Sequence, residues 1–410
     1  MSLLDKASLI VTPNAVKASK LYSIIPSDGS GDMNVVRATT ATRVNSSGLI
    51  ENVGINTPRI DYTNGSCPSL LIEPQRTNSI FYSEQFDNIS WVKYNTTITA
   101  NSINSPSGLL NADFIIPDTI NTIHYSNNST ANVTSGLCTY SIFAKKGFYK
   151  NILVWFDGHS GGIGVNLETL EIFRNTNITS YTINNYGNDW FRISITANIS
   201  TIAIPAIYIY SNDATPQISW SGNGTGGLYV WGAQVEKTSS YLSSYIPTTS
   251  SAVTRNADVI SKTGISSLIG QTEGTFFADI ILNGSTGFYT ILNTTNSITN
   301  AITMHIESNV FLAYVFANGV QKTYLSGGSA ITNNRYKLAF AYKSGSSTFY
   351  VNGVSIGTSS DTFTFSNSLS EIKIADNVEY FSVQNSIKIN SSQIYKTRLT
   401  NSELQSLTSL

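Results

Sequence analysis

The chain has 410 residues, 41% of them hydrophobic and 12% charged, with a formal net charge of −1. That length exceeds one ordinary hydrophobic core and implies two domains of about 150 residues plus an additional segment. The low charge excludes a basic field for nucleic acid and a polybasic contact with a membrane surface, and the apolar residues never run to the roughly 18 that membrane insertion needs.

The opening MSLLDKASLIVTPNAVKASK breaks its apolar stretch with Asp5 and Lys6, and no basic flank precedes it. No signal peptide is therefore expected, and synthesis in a bacterial cytoplasm is. Ser2 to Ala7 predicts a short helix, with Ser2 as cap and Asp5 in the first turn. Residues 8–80 have no sustained period and carry Gly, Pro and Asn punctuation. They read as an extended, turn-rich segment that packs on the next domain or on a neighbouring subunit.

From about residue 90 to 396, short strands separated by turns recur. FRISITA at 191–197 alternates Phe191, Ile193 and Ile195 with Arg192, Ser194 and Thr196, which predicts one buried face and one wet face. A linker is expected near 247–257, around Pro247 and a run of small polar residues. KLAFAYK at 337–343 places Leu338, Phe340 and Tyr342 on one face. Asn318-Gly319 and Asn352-Gly353 each predict a hairpin, because both central residues of a type I′ turn need positive φ. LTNSELQSL closes the chain as a helix, with Thr400 and Glu403 forming a capping box. The expected class is all-β: tandem β-sandwich (jelly-roll) domains over 81–250 and 256–410, preceded by an extended N-terminal segment over 1–80.

Little in the sequence points to catalysis. Cys67 and Cys138 occur in no CxxC and near no histidine, which argues against zinc; the reading is two buried thiols, with a disulfide as the alternative. His124, His159 and His305 accompany no G-x-S-x-G elbow, and strand or surface positions are expected for them. The nearest acidic cluster, Glu371, Asp376 and Glu379, has spacings of five and three, which alternate faces on a strand and fit solvated turn acids.

Sugar binding would rest on exposed aromatic rings, with Asn, Asp or Gln fixing orientation. Trp91, Trp190 and Trp231 read as core residues. Trp155 precedes the loop DGHSGGIG, where Asp157 and His159 can supply hydrogen bonds. Trp220 opens SGNGTGG, where glycine allows close approach of a ligand. These two loops are the candidate carbohydrate site of the middle domain, and ordinary packing is the competing reading for both rings.

RATTATRVNSSGLIE at 37–51 and PRIDYTNGSCPSLLIEPQRTN at 58–78 resemble the opening segment of a family of bacteriophage and prophage virion proteins. TYSIFAKKG at 139–147, DWFRISITAN at 189–198 and GLYVWGAQVEKTSSYLSSYIPT at 227–248 resemble the carbohydrate-binding-module-like sandwiches that follow it there. GTFFADI at 274–280, RYKLAFAYKSGSSTFYVNGVSIG at 335–357 and the ending IYKTRLTNSELQSL are similar to laminin-G or concanavalin-type lectin sandwiches. The resemblance implies a non-enzymatic structural protein at the virion surface, a tail or head fibre or a decoration protein. Its implied partners are other virion proteins, host cell-surface polysaccharide and further copies of itself, as a homo-oligomer expected to be a trimer. A purely structural role and a polysaccharide depolymerase are the alternatives. No cofactor is expected, apart from Ca2+ in such lectin-like sandwiches, for which Asp361 and Asp376 are the loop candidates.

Overall fold

The computed structural model describes residues 2–63, 65, 67–283, 289–294, 299–375 and 385–410. The chain divides into two compact units. One comprises Met1–Arg43, Val53–Gln75 and Asn256–Leu410; the other comprises Val44–Asn52 and Arg76–Arg255. Both are antiparallel β structures, and the chain's last passage from the second to the first lies between Arg255 and Asn256.

In the first unit the described strands form a nine-stranded and a seven-stranded sheet. The larger runs Lys20–Ile25, Ala7–Lys17, Ile387–Tyr395, Glu273–Leu282, Arg335–Lys343, Ser347–Val351, Val354–Ser359, and Ser69–Ile72 also pairs with Ile387–Tyr395. The smaller includes Asn34–Val36 beside Val259–Thr263. The segment expected to be extended is thus largely built into this sandwich. Leu9, Val11, Leu21, Leu70 and Ile72 lie in one core with Phe276, Phe340 and Ile394. A strand that completes its ladder against residues nearly 400 positions away leaves no local signal of that pairing.

Three charged residues from the motif blocks, Arg37, Arg59 and Glu73, are fully buried in this unit together with Asp258. Arg59 Nη1 donates to Glu73 at 2.7 Å, and Arg37 Nη1 donates to Asp258 at 2.8 Å. Arg59 also binds Asp258 through Nη2 and Nε, and the Glu73 backbone N–H donates to Asp258 at 3.0 Å. Two cations therefore face two anions, and the guanidinium donors also reach backbone carbonyls of Thr39, Thr42, Val53, Gly54 and Thr57. Such pairing is what makes burying charge tolerable.

Both NG hairpins form, with φ 54° and 77° at Asn318 and Gly319 and 49° and 80° at Asn352 and Gly353. Leu3–Lys6 and Asn401–Thr408 are helical, each with a complete capping box. The KLAFAYK strand is buried on both faces, because Ala339 and Ala341 pack with Leu399 and Leu404 of the C-terminal helix region.

His305 lies buried on Asn300–Glu307, its ring stacked on Tyr314 at 4.7 Å. Burial pushes its pKa from 6.5 down to about 3. The unfolded chain therefore binds a proton that the folded chain refuses across that window. This contribution to stability is complete above pH 6.5 and is lost as pH falls toward 3, by about 1.4 kcal/mol per pH unit. His305→Leu should flatten the calorimetric stability slope between pH 6 and 4; an unchanged slope would assign acid sensitivity to other groups.

In the second unit, a six-stranded sheet runs Thr96–Asn104, Leu110–Pro117, Leu228–Lys237, Gly136–Lys145, Phe191–Ile199, Ser180–Asn185. A seven-stranded sheet runs Ile172–Thr176, Gly161–Asn166, Asn151–Asp157, Ile204–Tyr210, Thr122–Asn128, Ser219–Trp220, with Trp91–Tyr94 also on Thr122–Asn128. Their inner faces share one core, in which Ile152, Val154 and Phe156 meet Tyr140, Ile142 and Ile195. FRISITA pairs as expected, but its second face is not wet. Arg192 is buried, donating to the Ser243 carbonyl at 2.8 Å, and Thr196 meets Thr139. The chain leaving the last strand covers that face. The two cysteines are free; Cys138 is buried and Cys67 exposed, which corrects the expectation of two buried thiols.

Candidate functional site

Alternation along a strand sends every second side chain of the second unit's seven-stranded sheet away from the core. Those outward residues line up across six strands. One register row reads Tyr94, Tyr125, Tyr208, Leu153, Gly164, Arg174. The adjacent row reads Val92, Asn127, Ala206, Trp155, Gly162, Thr176. At about 4.8 Å per strand, each row spans roughly 24 Å.

The three tyrosines form a stack. Tyr94 and Tyr125 have ring centroids 5.0 Å apart, and Tyr125 and Tyr208 have centroids 4.8 Å apart, with interplanar angles of 24° and 25°. Each inner ring covers its neighbour's face, so the open flat surface is that of Tyr94, which is 45% exposed. Tyr208 donates its hydroxyl to Asp157 at 2.6 Å, and Asn127 Nδ2 donates to the other Asp157 oxygen at 3.2 Å. Burial, then the Asp157 carboxylate, pushes the Tyr208 phenol well above its ordinary range, so it stays a donor. Asp157 is half-buried and held as a fixed acceptor.

At the other end of the face, Trp155 rests on Gly162, where a Cβ would lie 2.8 Å from the indole. The Arg174 guanidinium covers the ring at 4.4 Å and donates to the Tyr210 hydroxyl at 3.0 Å. Trp155 is therefore only 7% exposed. It supports Arg174 and does not offer the open stacking platform expected of it. Trp220 is corrected more fully. Its indole N–H donates to the Ile209 carbonyl at 3.1 Å, and its ring packs in the core against Tyr149 and His124. Two glycines of its loop fit against backbone instead of leaving room for a ligand: a Cβ would lie 2.2 Å from the Asp118 carbonyl at Gly222 and 2.1 Å from the Ile115 carbonyl at Gly227. His159 caps the hairpin beside Asp157, its Nε2 2.9 Å from the Asn177 carbonyl.

The structure brings Trp155 and Asp157 onto one face and leaves Trp220 off it. Tyr94, Tyr125, Asn127, Tyr208 and Arg174 were missed, because their alignment comes from pairing between strands scattered over residues 91–210. The alternation in IYIY, which turns the half-buried Tyr208 to the opposite side from the buried Ile207 and Ile209, is a local signal of this face.

In the first unit, Asp361 lies in a turn where its side chain accepts from Ser359, and its carbonyl accepts from Gly345 N–H. Asp376 and Glu379 lie outside the described residues. Glu371 stands 3.9 Å from Lys373. Among the described residues, no group of three His, Cys, Asp or Glu is placed to hold a metal ion. A small pocket lined by Asn283, Asn333, Arg335 and Lys388 has its cations already paired, Arg335 with Asp279 and Lys388 with Asp61.

No family model matches the chain, and no curated protein sequence matches it. Among solved structures, the receptor binding domain of botulinum neurotoxin C/D mosaic serotype is similar over 36% of this chain and 39% of its own, at 14% identity and TM-score 0.31. The CBM40 of Ruminococcus gnavus IT-sialidase, bound to alpha2,3 sialyllactose, is similar over 36% of this chain and 91% of its own, at 14% identity and TM-score 0.31. The heptameric SAP-like pentraxin of Limulus polyphemus is similar over 33% and 70%, at 15% identity and TM-score 0.27. The likeness thus spans well under half of the neurotoxin domain. Two of the three proteins are named for binding, one to a receptor and one to a sialylated sugar.

Proposed function

We propose that the chain is a non-enzymatic glycan-recognition protein that binds polysaccharide on the outer face of the second unit's seven-stranded sheet. The observation that carries this reading is the register row of stacked tyrosines beside Asp157, a carboxylate fixed by Tyr208 and Asn127. An open aromatic face suits the apolar side of a pyranose, and rigid acceptors and donors suit its hydroxyls. The stacked rings have little rotamer freedom left to lose on binding.

The motif blocks resembling phage virion proteins supply the setting. In this reading the protein is a fibre or decoration component on a phage particle, and its receptor is host surface polysaccharide. Many copies on one particle, or a homotrimer, convert weak sugar contacts into firm attachment. A purely structural component would instead bury the same tyrosine face against another subunit.

Purified protein is expected to bind host cells, and the binding to disappear after periodate oxidation of surface sugars. Tyr94→Ala should weaken binding roughly tenfold, about 1.4 kcal/mol. No release of reducing ends from the bound polysaccharide is expected. Unchanged cell binding by both Tyr94→Ala and Asp157→Asn would sink this face as the site, and reducing-end release would replace the reading with a depolymerase.

A further inference from the structure

Among the described residues, Arg174 is the one cation built into this face, and it is prepared in an unusual way. Val165 pairs with Ile172 while Gly164 pairs with Arg174, so a bulge at Phe173 turns two successive side chains outward. The Phe173 ring lies over Gly164, where any Cβ would fall 2.4 Å from it. Arg174 then stacks on Trp155 at 4.4 Å and spends one donor on Tyr210. Its orientation is set before any ligand arrives.

Its charge is not neutralised. Among the described residues no acidic side chain pairs with Arg174, whereas Lys146 and Lys150 share Glu168 and Arg335 holds Asp279. Asp157 lies beyond Trp155 on the same strand and is already occupied by Tyr208 and Asn127. A guanidinium with its orientation fixed and, among the described residues, its Nε and Nη2 donors unpaired is matched to a planar carboxylate, which it binds with two parallel charge-assisted hydrogen bonds. We propose, resting on the reading of this face as a glycan site, that its ligand is an acidic polysaccharide bearing carboxylates, and that Arg174 reads the carboxylate at one end while the tyrosine stack holds the sugar chain at the other.

The test uses the full chain and measures affinity for polygalacturonate, alginate, hyaluronan and polysialic acid, each beside its carboxyl-reduced product, with dextran and dextran sulfate as further arms. At least one acidic polymer is expected to bind tenfold or more tighter than its reduced product, with affinity falling as salt rises. Arg174→Ala should lower affinity for that polymer by tenfold or more and shrink the difference between the acidic and reduced forms. Arg174→Lys should recover only part of it, since an ammonium lacks the fork. The thermal midpoint of each variant separates lost binding from lost folding. Equal binding of acidic and reduced forms, or dextran sulfate binding as tightly, would overturn the carboxylate assignment and leave the glycan reading standing. If no polymer and no host cell binds, both fall together.

Discussion

Asp258→Ala is expected to destabilise the unit containing it by about 3–5 kcal/mol. The substitution leaves Arg37 and Arg59 buried, with Glu73 as the remaining carboxylate of the four-residue network, where two anions had balanced two cations. It also removes the acceptor for the Glu73 backbone N–H. The penalty is that of stranded charge and unmade hydrogen bonds, which exceeds the net contribution of the intact pairs. Calorimetry is the suitable measurement, because all five tryptophans belong to the other unit and their emission reports on that unit alone. A shift under 1 kcal/mol would mean that the network is far more hydrated than its burial implies.

Trp231→Ala should cost the second unit about 3–5 kcal/mol, read from the emission of the four remaining tryptophans during denaturant unfolding. Trp231 is 2% exposed, with its ring 5.2 Å from Phe143 and 4.7 Å from Tyr245. Val44 and Ile50 pack in the same cluster. Gly232 follows at φ 62°, and a Cβ there would lie 2.9 Å from Phe143, so the backbone passes close beneath the rings. Removing the indole opens a cavity that flanking aromatics on rigid strands cannot collapse into. A cost near 1 kcal/mol would show that this cluster is plastic.

These two sites also explain what the motif blocks are for. Arg37, Arg59 and Glu73 come from the two opening blocks, and they build a buried ion network with Asp258. Asn78, the last residue of the second block, is buried, donating to the carbonyls of Ala233 and Ile246 and accepting from the Val235 N–H. Gln234 accepts from the Ile246 N–H, just before the Pro-Thr-Thr exit. Arg37, Arg59, Glu73 and Asn78 of these blocks are therefore fold determinants, buried with their polar groups engaged.

By itself the sequence determined everything that depends on neighbours within about ten residues. The NG hairpins follow from the positive φ that Asn and Gly accept, the C-terminal helix from the reach of Glu403 back to Thr400, and the all-β class from period-two alternation. Tertiary structure alone decided the rest. It assigned residues 7–25 to a sandwich with residues 387–395, buried both faces of FRISITA, sent Trp220 into the core, and laid Arg174 over Trp155. Strand periodicity says that a side chain faces one side of a sheet, but not which strand lies beside it or what covers that side. The candidate site rests on adjacent register rows, each made of one residue from each of six strands. Its chemistry arises from cross-strand register, which hydrogen bonding between distant segments sets and no local pattern encodes.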